Sequence, residues 1–248
     1  MIYICVPCRD DAKTVGLLLW KLRQVLGENQ RHYQVLVGND GSTDDTRQVL
    51  KKYEGVLPMV VLDSERSLGY AATVERLFRE VLKKSDRTRR DSAVLLNGDF
   101  SVSPSVVPEL IKGIDSGADL VVAESNTLGG GPLSKLVAKF APKLLSPGVR
   151  VPGVKDLLSG VAAIRLVTLK RCFGEKDGIL LVTEGAVARA ELLARAAAFA
   201  RQIQTVPVPE HDRRPGSEDP HPLSMALHLF RAGRTLHIPQ APETVSQN

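Results

Sequence analysis

Short apolar runs alternate with helical patterns through the first half of the chain, and this alternation limits the fold more than any other feature of the sequence. Five runs of four or five residues occur, at residues 2–6, 33–37, 59–62, 93–96 and 120–123. Their polar and apolar residues do not alternate, which is typical of strands covered on both faces. The order of runs and helical patterns predicts an α/β fold with a mostly parallel central sheet.

The helical patterns lie between these runs. One stripe at helical spacing holds Val15, Leu19, Leu22 and Leu26, and a second holds Val74, Leu77, Phe78, Val81 and Leu82. After a glycine run at residues 129–131, the second half predicts helices at 133–145, 183–200 and 223–231 and strands at 161–166 and 204–208. We expect one domain over residues 1–248, with 1–126 as one half and 127–248 as the other.

Acidic and amide side chains follow the first four predicted strands, at the point where each strand ends. These are Asp10 and Asp11 after the first, Asp40, Asp44 and Asp45 after the second, Asp63 and Glu65 after the third, and Asn97 and Asp99 after the fourth. The carboxyl ends of parallel strands meet at one edge of the sheet, where ligands of open α/β sheets bind. We therefore expect these side chains to share one crevice.

A crevice lined by carboxylates repels anions unless a cation intervenes. A nucleobase and a ribose can donate hydrogen bonds to carboxylates, and a divalent cation can bridge a carboxylate to a diphosphate. The pattern therefore indicates a nucleotide diphosphate with Mg²⁺ or Mn²⁺. The sequence has no G-x-x-x-x-G-K-[ST] motif and no G-x-G-x-x-G after the first strand, which argues against P-loop ATPases and dinucleotide-binding proteins.

The excess of positive charge is confined to one segment. The net charge is +5, and residues 83–90 hold five basic residues against one acidic residue. Three interpretations stay open: a solvated helix end, an anchor for anionic lipid head groups, and a nucleic-acid site. Nucleic acid is the least favoured partner, because only 4% of the residues are aromatic and few bases could stack on them.

The cysteines and the hydropathy pattern indicate a cytoplasmic protein. Three cysteines suit a reducing compartment, and although Cys5 and Cys8 form a C-x-x-C pair, Cys5 falls inside the first predicted strand. We expect both to pack in the core. No run of about 18 uncharged apolar residues exists, and Met1 leads directly into a predicted strand, so neither a transmembrane helix nor a signal peptide is expected.

Five segments, in order along the chain, carry a family resemblance. They are residues 4–11 (ICVPCRDD), 35–46 (VLVGNDGSTDDT), 95–99 (LLNGD), 156–160 (DLLSG) and 205–217 (TVPVPEHDRRPGS). The first three resemble the opening strand, the Asp-Asp-Gly-Ser-x-Asp turn and the Asp-x-Asp site of family 2 glycosyltransferases. The last two resemble segments of the branch that contains dolichol-phosphate mannose synthase and other polyprenyl-phosphate sugar synthases.

The resemblance implies a fold, a reaction and a set of site residues. The fold is GT-A, a three-layer sandwich with a Rossmann-like N-terminal half. The reaction is the transfer, with inversion, of a sugar from a GDP- or UDP-linked donor to a sugar or polyprenyl-phosphate acceptor. The implied donor residues are Pro7, Asp11, Asp40, Arg66, Gly69, Asn97 and Asp99, the implied acceptor residues are Asp156, Ser159 and Arg213, and the implied catalytic residues are Asp99, Glu191 and Arg213. Asp99 and Asn97 would hold Mg²⁺ or Mn²⁺.

Departures from the family pattern keep an alternative open. Asn97 replaces the first acid of Asp-x-Asp, and Thr205 replaces a glutamate before Val-Pro. A catalytically weak or inactive homologue that binds a nucleotide or a sugar is therefore the second interpretation. A nucleotidyltransferase is disfavoured, because the loop after the first strand contains no glycine.

Two further expectations concern the acceptor side. Glu184 and Glu191 share a face of one predicted helix, and Glu191 has the family's spacing to Val206-Pro207, so the resemblance places it beside the acceptor. The alternative for both is a solvated helix charge, and His211 is a second candidate base. The basic segment 83–90, together with the helix at 223–230, is expected to bring the protein to the inner face of a membrane that holds a lipid-linked acceptor.

Overall fold

Seven strands form one sheet in the computed structural model, which describes residues 1–27, 32–125, 132–146, 148–174, 178–208, 222–236 and 238. The strands are β1 (Ile2–Cys8), β2 (Tyr33–Asn39), β3 (Met59–Asp63), β4 (Ser92–Leu95), β5 (Leu120–Ser125), β6 (Ala162–Arg165) and β7 (Ile203–Val208). They lie in the order β3-β2-β1-β4-β6-β5-β7, and β6 alone among them runs antiparallel to its neighbours. The predicted mostly parallel sheet is confirmed.

Helices cover both faces of this sheet. They are α1 (Val15–Gly27), α2 (Thr46–Tyr53), α3 (Tyr70–Lys84), α4 (Val107–Asp115), α5 (Pro132–Leu145), α6 (Leu166–Phe173), α7 (Gly185–Phe199) and α8 (Pro222–Thr235). Side chains of β1 alternate between two buried clusters: Tyr3 and Cys5 face α3 and α5–α8, whereas Ile4 and Val6 face α1, α2 and α4. The alternation confirms the three-layer α/β sandwich.

The sheet edges and two short helices depart from the sequence-based expectation. Residues 59–62 of β3 are only half-buried, because β3 lies at the edge of the sheet and not inside it. The predicted strand at 161–166 stops at Arg165, and Leu166 begins α6, which the sequence pattern missed along with α2. Tertiary contacts decide this boundary, since the backbone N–H groups of Leu166 and Val167 donate to the carbonyls of Asp91 and Thr88.

The structure also shows where the cysteines lie and whether any described helix could span a membrane. Cys5 and Cys8 are both buried in β1 as free thiols, which fits the expected packing role. Burial raises the pKa of the Cys172 thiol to about 12, so this cysteine is protonated at neutral pH. In the part of the chain that the structure describes, no helix has the length and apolar character needed to cross a bilayer.

Candidate active site at the carboxyl edge of the sheet

The loops that follow β1 and β2 are joined by reciprocal hydrogen bonds. The Asp10 carboxylate accepts from the backbone N–H of Thr43 at 2.6 Å, and the Asp10 N–H donates to the Ser42 hydroxyl at 3.0 Å. Asp44 accepts from the N–H of Ala12 at 3.1 Å. The hydrogen bond from Thr43 contributes most to holding the pKa of Asp10 below its ordinary value. These two acids therefore lock the first two strand ends together.

Asp40 holds the loop after β3 against the end of β2. Its buried carboxylate accepts from the Ser67 hydroxyl at 2.7 Å and from the N–H groups of Leu68 and Gly69 at 2.6 and 3.0 Å. Gly41 makes this approach possible, because its φ is +61° and a Cβ there would lie 2.5 Å from the backbone of Arg66. The acid that the resemblance assigns to the nucleotide is thus engaged in fixing the path of the loop after β3.

The end of β4 packs directly on the end of β1. The Gly98 N–H donates to the Pro7 carbonyl at 3.1 Å, and the Thr14 hydroxyl donates to the Gly98 carbonyl at 3.0 Å. A Cβ at Gly98 would lie 2.6 Å from the Cys8 Cβ, which cannot move aside, and 2.7 Å from a carboxylate oxygen of Asp11. Glycine is therefore required here, and Asp11 lies beside the segment that carries Asp99.

Asn97 contacts the loop at residues 156–160, which the resemblance assigns to the acceptor, and Asp99 follows it. The Asn97 amide donates to the Ser159 carbonyl at 2.9 Å and to the Ser101 hydroxyl at 3.2 Å, while Asp99 accepts from the Ser101 N–H at 2.8 Å. The donation to a carbonyl fixes the orientation of the Asn97 amide, and its Oδ1 is left buried without a partner among the described residues. Phe100, the next residue after Asp99, has a φ of +57°, which is a rare conformation for an aromatic residue.

Asp156 and Ser159 form the loop that Asn97 contacts. Asp156 is buried, and its Oδ1 accepts from the N–H groups of Leu158 and Ser159 at 3.1 and 3.0 Å. The Ser159 hydroxyl donates to the Ala123 carbonyl in β5 at 3.0 Å. The loop lies beside Asn97, and both residues are engaged in holding it in place, so their assignment to the acceptor stays a prediction.

Electrostatic effects on two buried groups show that the strand ends converge. Burial is the main cause that raises the pKa of Cys8, and the carboxylates of Asp11, Asp63, Asp44 and Asp40 raise it further. Burial also raises the pKa of Tyr70, Arg189 opposes this, and Asp99 and Glu184 add to it. Because Tyr70 follows Gly69, which donates to Asp40, the residues around Asp40 and Asp99 lie at one edge of the sheet, as expected.

The placement of Glu191 corrects the expectation that it lines the acceptor side. Glu191 is fully buried, and its carboxylate accepts from the N–H groups of Val182 and Thr183, from the Thr183 hydroxyl, and from Arg195 at 2.7 and 2.8 Å. A carboxylate with all these donors is not a solvated helix charge, and it has no free position for a substrate. Glu191 holds the loop before α7 in place.

Of the remaining candidate residues, the structure describes Arg66 but not Arg213 or His211. Arg66 is exposed beside the Gly41 turn, at the rim of the crevice. Arg213 and His211 lie outside the described residues, so their assignment stays a prediction.

The sequence pattern did not identify Tyr70 and Arg189, and it assigned Glu184 to a helix face. Glu184 precedes the first residue of α7, and its carboxylate accepts from the Ala71 N–H at the start of α3 at 3.1 Å. Tyr70 and Arg189 lie close together, with the guanidinium carbon 5.2 Å from the ring centre. Their spacing of 119 residues and their position on two different helices left no pattern in the sequence.

The oxygen atoms of Asn97 and Asp99 fit a hard divalent cation that is held only in part by protein. Within the described ranges, no three His, Cys, Asp or Glu side chains are grouped as a metal site. The unpartnered Oδ1 of Asn97 and the Asp99 carboxylate are both oxygen ligands, the kind that Mg²⁺ and Mn²⁺ prefer. Mg²⁺ commonly takes one or two protein ligands and completes its shell with phosphate oxygens and water.

Comparison with solved structures supports the fold. Glucosyl-3-phosphoglycerate synthase from Mycobacterium tuberculosis, solved with Mn²⁺, UDP and glucosyl-3-phosphoglycerate, aligns with a TM-score of 0.60 at 20% identity. The alignment covers 93% of this chain and 76% of that one. S. aureus TarS 1–349 in complex with UDP-GlcNAc aligns with a TM-score of 0.57 at 18% identity, over 94% of this chain and 66% of that one. The fold is therefore the expected GT-A type.

Comparison with curated proteins and family models identifies the family. A dolichol-phosphate mannosyltransferase of Pyrococcus furiosus is 27% identical over 66% of this chain and 46% of its own length. An undecaprenyl-phosphate 4-deoxy-4-formamido-L-arabinose transferase of Pseudomonas fluorescens is 22% identical over 92% of this chain and 63% of its own. The chain thus spans about half of the first relative and under two thirds of the second. Residues 3–143, more than half of the chain, match the model of Glycosyl transferase family 2, and the chain belongs to that family.

Proposed function

We propose that the protein transfers a sugar, with inversion, from a nucleotide-diphosphate sugar to a phosphate-bearing lipid acceptor. The observation that supports this proposal is the hydrogen bond between Asn97 and Ser159, which joins the segment that we assign to the metal to the loop that we assign to the acceptor. Solved relatives hold UDP-sugars and Mn²⁺, and curated relatives are named for lipid-phosphate acceptors. In this proposal, residues 1–126 bind the donor and residues 127–248 bind the acceptor.

The chemistry requires stabilisation of the leaving group. An acceptor oxygen forms a bond to the anomeric carbon as the bond to the diphosphate breaks, and the electron pair leaves with the diphosphate. Asn97 and Asp99 would hold Mg²⁺ or Mn²⁺, which supplies positive charge to the diphosphate when bound. A phosphate acceptor is already ionised near neutral pH and needs no general base, so the reaction does not require the buried Glu191 carboxylate as one.

Nucleotide binding tests the donor side of the proposal. We expect UDP or GDP to bind in isothermal titration calorimetry, with an affinity that rises when Mg²⁺ or Mn²⁺ is added, because Asn97 and Asp99 supply only part of a metal site. A chain that binds neither UDP, GDP nor dTDP, with or without metal, would contradict the proposal. Asn97→Asp adds a carboxylate and should tighten metal-dependent binding.

The same variant separates the enzyme from the second candidate, a binding module without turnover. That candidate rests on Asn97, which lacks the charge of the first Asp-x-Asp acid. The binding module would be favoured if Asn97→Asp binds nucleotide and metal more tightly and neither this variant nor the wild type transfers a sugar. Transfer in the wild type, assayed with radiolabelled nucleotide sugars and a polyprenyl phosphate, would decide for the enzyme.

We further propose that the packed pair α5 and α8 docks on an anionic membrane surface. Six large apolar side chains on these helices are 42–62% exposed: Leu133, Leu136 and Phe140 on α5, and Leu223, Leu227 and Phe230 on α8. Their spacing places each set along one helix face. The two helices contain five basic residues and no acidic residue: Lys135, Lys139, Lys143, Arg231 and Arg234. Apolar faces with basic flanks are typical of helices that lie in a lipid interface.

This surface replaces the basic segment 83–90 as the proposed membrane contact. Segment 83–90 joins the end of α3 to the start of β4, and Asp91 beside it accepts from the Met1 amino group at 2.8 Å. The segment therefore lies at the edge where the parallel strands begin, opposite the candidate site. A membrane bound there would not meet an acceptor at the carboxyl edge.

Liposome binding tests this surface. We expect the wild type to co-sediment with vesicles that contain anionic lipid, and Leu136→Glu/Leu227→Glu to reduce the bound fraction several-fold, because charges would enter the apolar interface. Lys84→Glu/Arg87→Glu, in the opposite segment, serves as the matched control and should bind nearly as well as the wild type. If both variants lose the same share of vesicle binding, the net charge of the protein explains the binding, and the proposed surface is contradicted. Dimerisation of the wild type through this face would also contradict the proposal.

A further inference from the structure

Arg189 lies beside the 156–160 loop of the candidate site, and it is not among the residues that the family resemblance names. It belongs to α7, and its side chain crosses the acceptor-side loop: a Cβ at Gly160 would lie 2.6 Å from the Arg189 Cδ. One guanidinium N–H reaches the Leu158 carbonyl at 3.4 Å, and the guanidinium carbon lies 5.2 Å from the centre of the Tyr70 ring. The side chain is thus held between the start of α3 and the 156–160 loop.

Two buried polar groups of this pair lack hydrogen-bond partners. The Arg189 Nε and the Tyr70 hydroxyl are both shielded from solvent, and neither has a partner among the described residues. Burial raises the pKa of Tyr70, and the charge of Arg189 and a side-chain hydrogen bond with it oppose that shift, but this contact is too poorly aligned to satisfy the Tyr70 hydroxyl or the Arg189 Nε. Leaving such groups unpaired costs about 1–3 kcal/mol each, so these two neighbouring polar atoms retain hydrogen-bonding capacity that a ligand can satisfy.

The charges around this pair favour an anionic ligand with its own cation. Arg189 faces Tyr70, and the carboxylates of Asp99 and Glu184 also act on that tyrosine. Glu184 is already engaged, because it accepts from the Ala71 N–H. Arginine presents its donors in a planar fork that matches phosphate oxygens, and a tyrosine hydroxyl can add a further donor.

We propose that Arg189 and Tyr70 form a phosphate-binding subsite, with Arg189 as the charged donor and Tyr70 as its stacking and hydrogen-bonding partner. The ligand is a phosphate group, either of the donor diphosphate or of the lipid-phosphate acceptor. This inference rests on the proposed function and deepens it. Because Asn97 leaves the metal site one charge short, Arg189 supplies positive charge to the phosphate that does not depend on the metal.

Calorimetry with and without Mg²⁺ tests the subsite, with UDP, pyrophosphate and geranyl phosphate as three separate probes. We expect Arg189→Ala to weaken binding of the phosphate in contact by about 10- to 100-fold, the loss expected for a charged hydrogen bond. Arg189→Lys should recover part of it, since charge remains while the fork and the stacking are lost. Tyr70→Phe should show a smaller loss. Loss for UDP and pyrophosphate assigns the donor, and loss for geranyl phosphate alone assigns the acceptor.

Arg79 offers a matched control. It also stacks on an aromatic ring, with its guanidinium carbon 4.6 Å from the centre of Phe173, and donates to the Gly178 carbonyl at 2.8 Å. Arg79→Ala should leave all three affinities unchanged. Wild-type affinities retained in Arg189→Ala, Arg189→Lys and Tyr70→Phe would overturn the subsite while leaving the proposed function intact. If the wild type binds pyrophosphate or geranyl phosphate but no nucleotide, the proposed function is overturned, and the Arg189 and Tyr70 variants still test the subsite with the probe that binds. If the wild type binds none of the three probes, both proposals are overturned.

Discussion

Asparagine in place of Asp40 is expected to lower the free energy of unfolding by about 3–5 kcal/mol and to weaken nucleotide binding. The Asp40 carboxylate accepts three hydrogen bonds from residues 67–69, and hydrogen bonds to a charged group contribute about 1.5–3 kcal/mol each. Either orientation of an asparagine amide would point N–H groups at one or two of these donors. Urea denaturation followed by circular dichroism measures the first effect, and calorimetry with UDP or GDP measures the second.

Asp45→Asn is the matched control for this prediction. Asp45 is an exposed acid of the same loop, and its carboxylate accepts from the Gln48 amide at 2.8 Å. We expect this variant to change the stability by less than about 0.5 kcal/mol. Unchanged stability in Asp40→Asn with complete loss of nucleotide binding would contradict the positioning role and restore the direct nucleotide contact that the family resemblance implies.

Glu191→Ala is expected to destabilise the protein by about 3–5 kcal/mol, the cost of breaking a buried ion pair from one side. Three groups of donors would lose their acceptor: the N–H groups of Val182 and Thr183, the Thr183 hydroxyl, and Arg195. The loop before α7 would then be released, and with it Glu184, which contacts the start of α3. The urea midpoint and the slope of the transition report this change.

Glu80→Ala gives the surface comparison for Glu191→Ala. Glu80 pairs with Lys84 at 3.6 Å one helical turn away, and both side chains are about one third exposed. A pair of this kind contributes less than about 1 kcal/mol, so the variant should unfold almost like the wild type. If Glu191→Ala kept full stability but lost sugar transfer, Glu191 would be a catalytic residue after all.

The strand ends illustrate what could be predicted of the site. The residues after β1, β2 and β4 were expected to converge, because parallel strands of one sheet carry their carboxyl ends to the same edge. That expectation is a matter of topology, and Asp11, Asp40, Asn97 and Asp99 meet it. The role of each carboxylate was not predictable, because whether Asp40 faces a ligand or a backbone N–H depends on the path of a loop 28 residues away.

The helices show the same division. The buried stripe of α1 follows from its spacing, since residues three and four apart share one face of a helix. The short helix α6 and the end of β6 could not be predicted from residue spacing, because the contacts of Leu166 and Val167 with residues 91 and 88 favour the helix over the strand. A short apolar run fits either structure until its neighbours are known.

The sequence by itself determined the fold class, the family and the sheet edge at which the acidic strand ends meet, because periodicity, the order of elements and short motifs can be read directly from the chain. The tertiary structure alone decided that Glu191 is buried, that segment 83–90 lies at the edge where the parallel strands begin, and that Arg189 reaches Tyr70. Each of these depends on distances between residues far apart in sequence, and the free energy of such contacts is set by packing that no local pattern encodes.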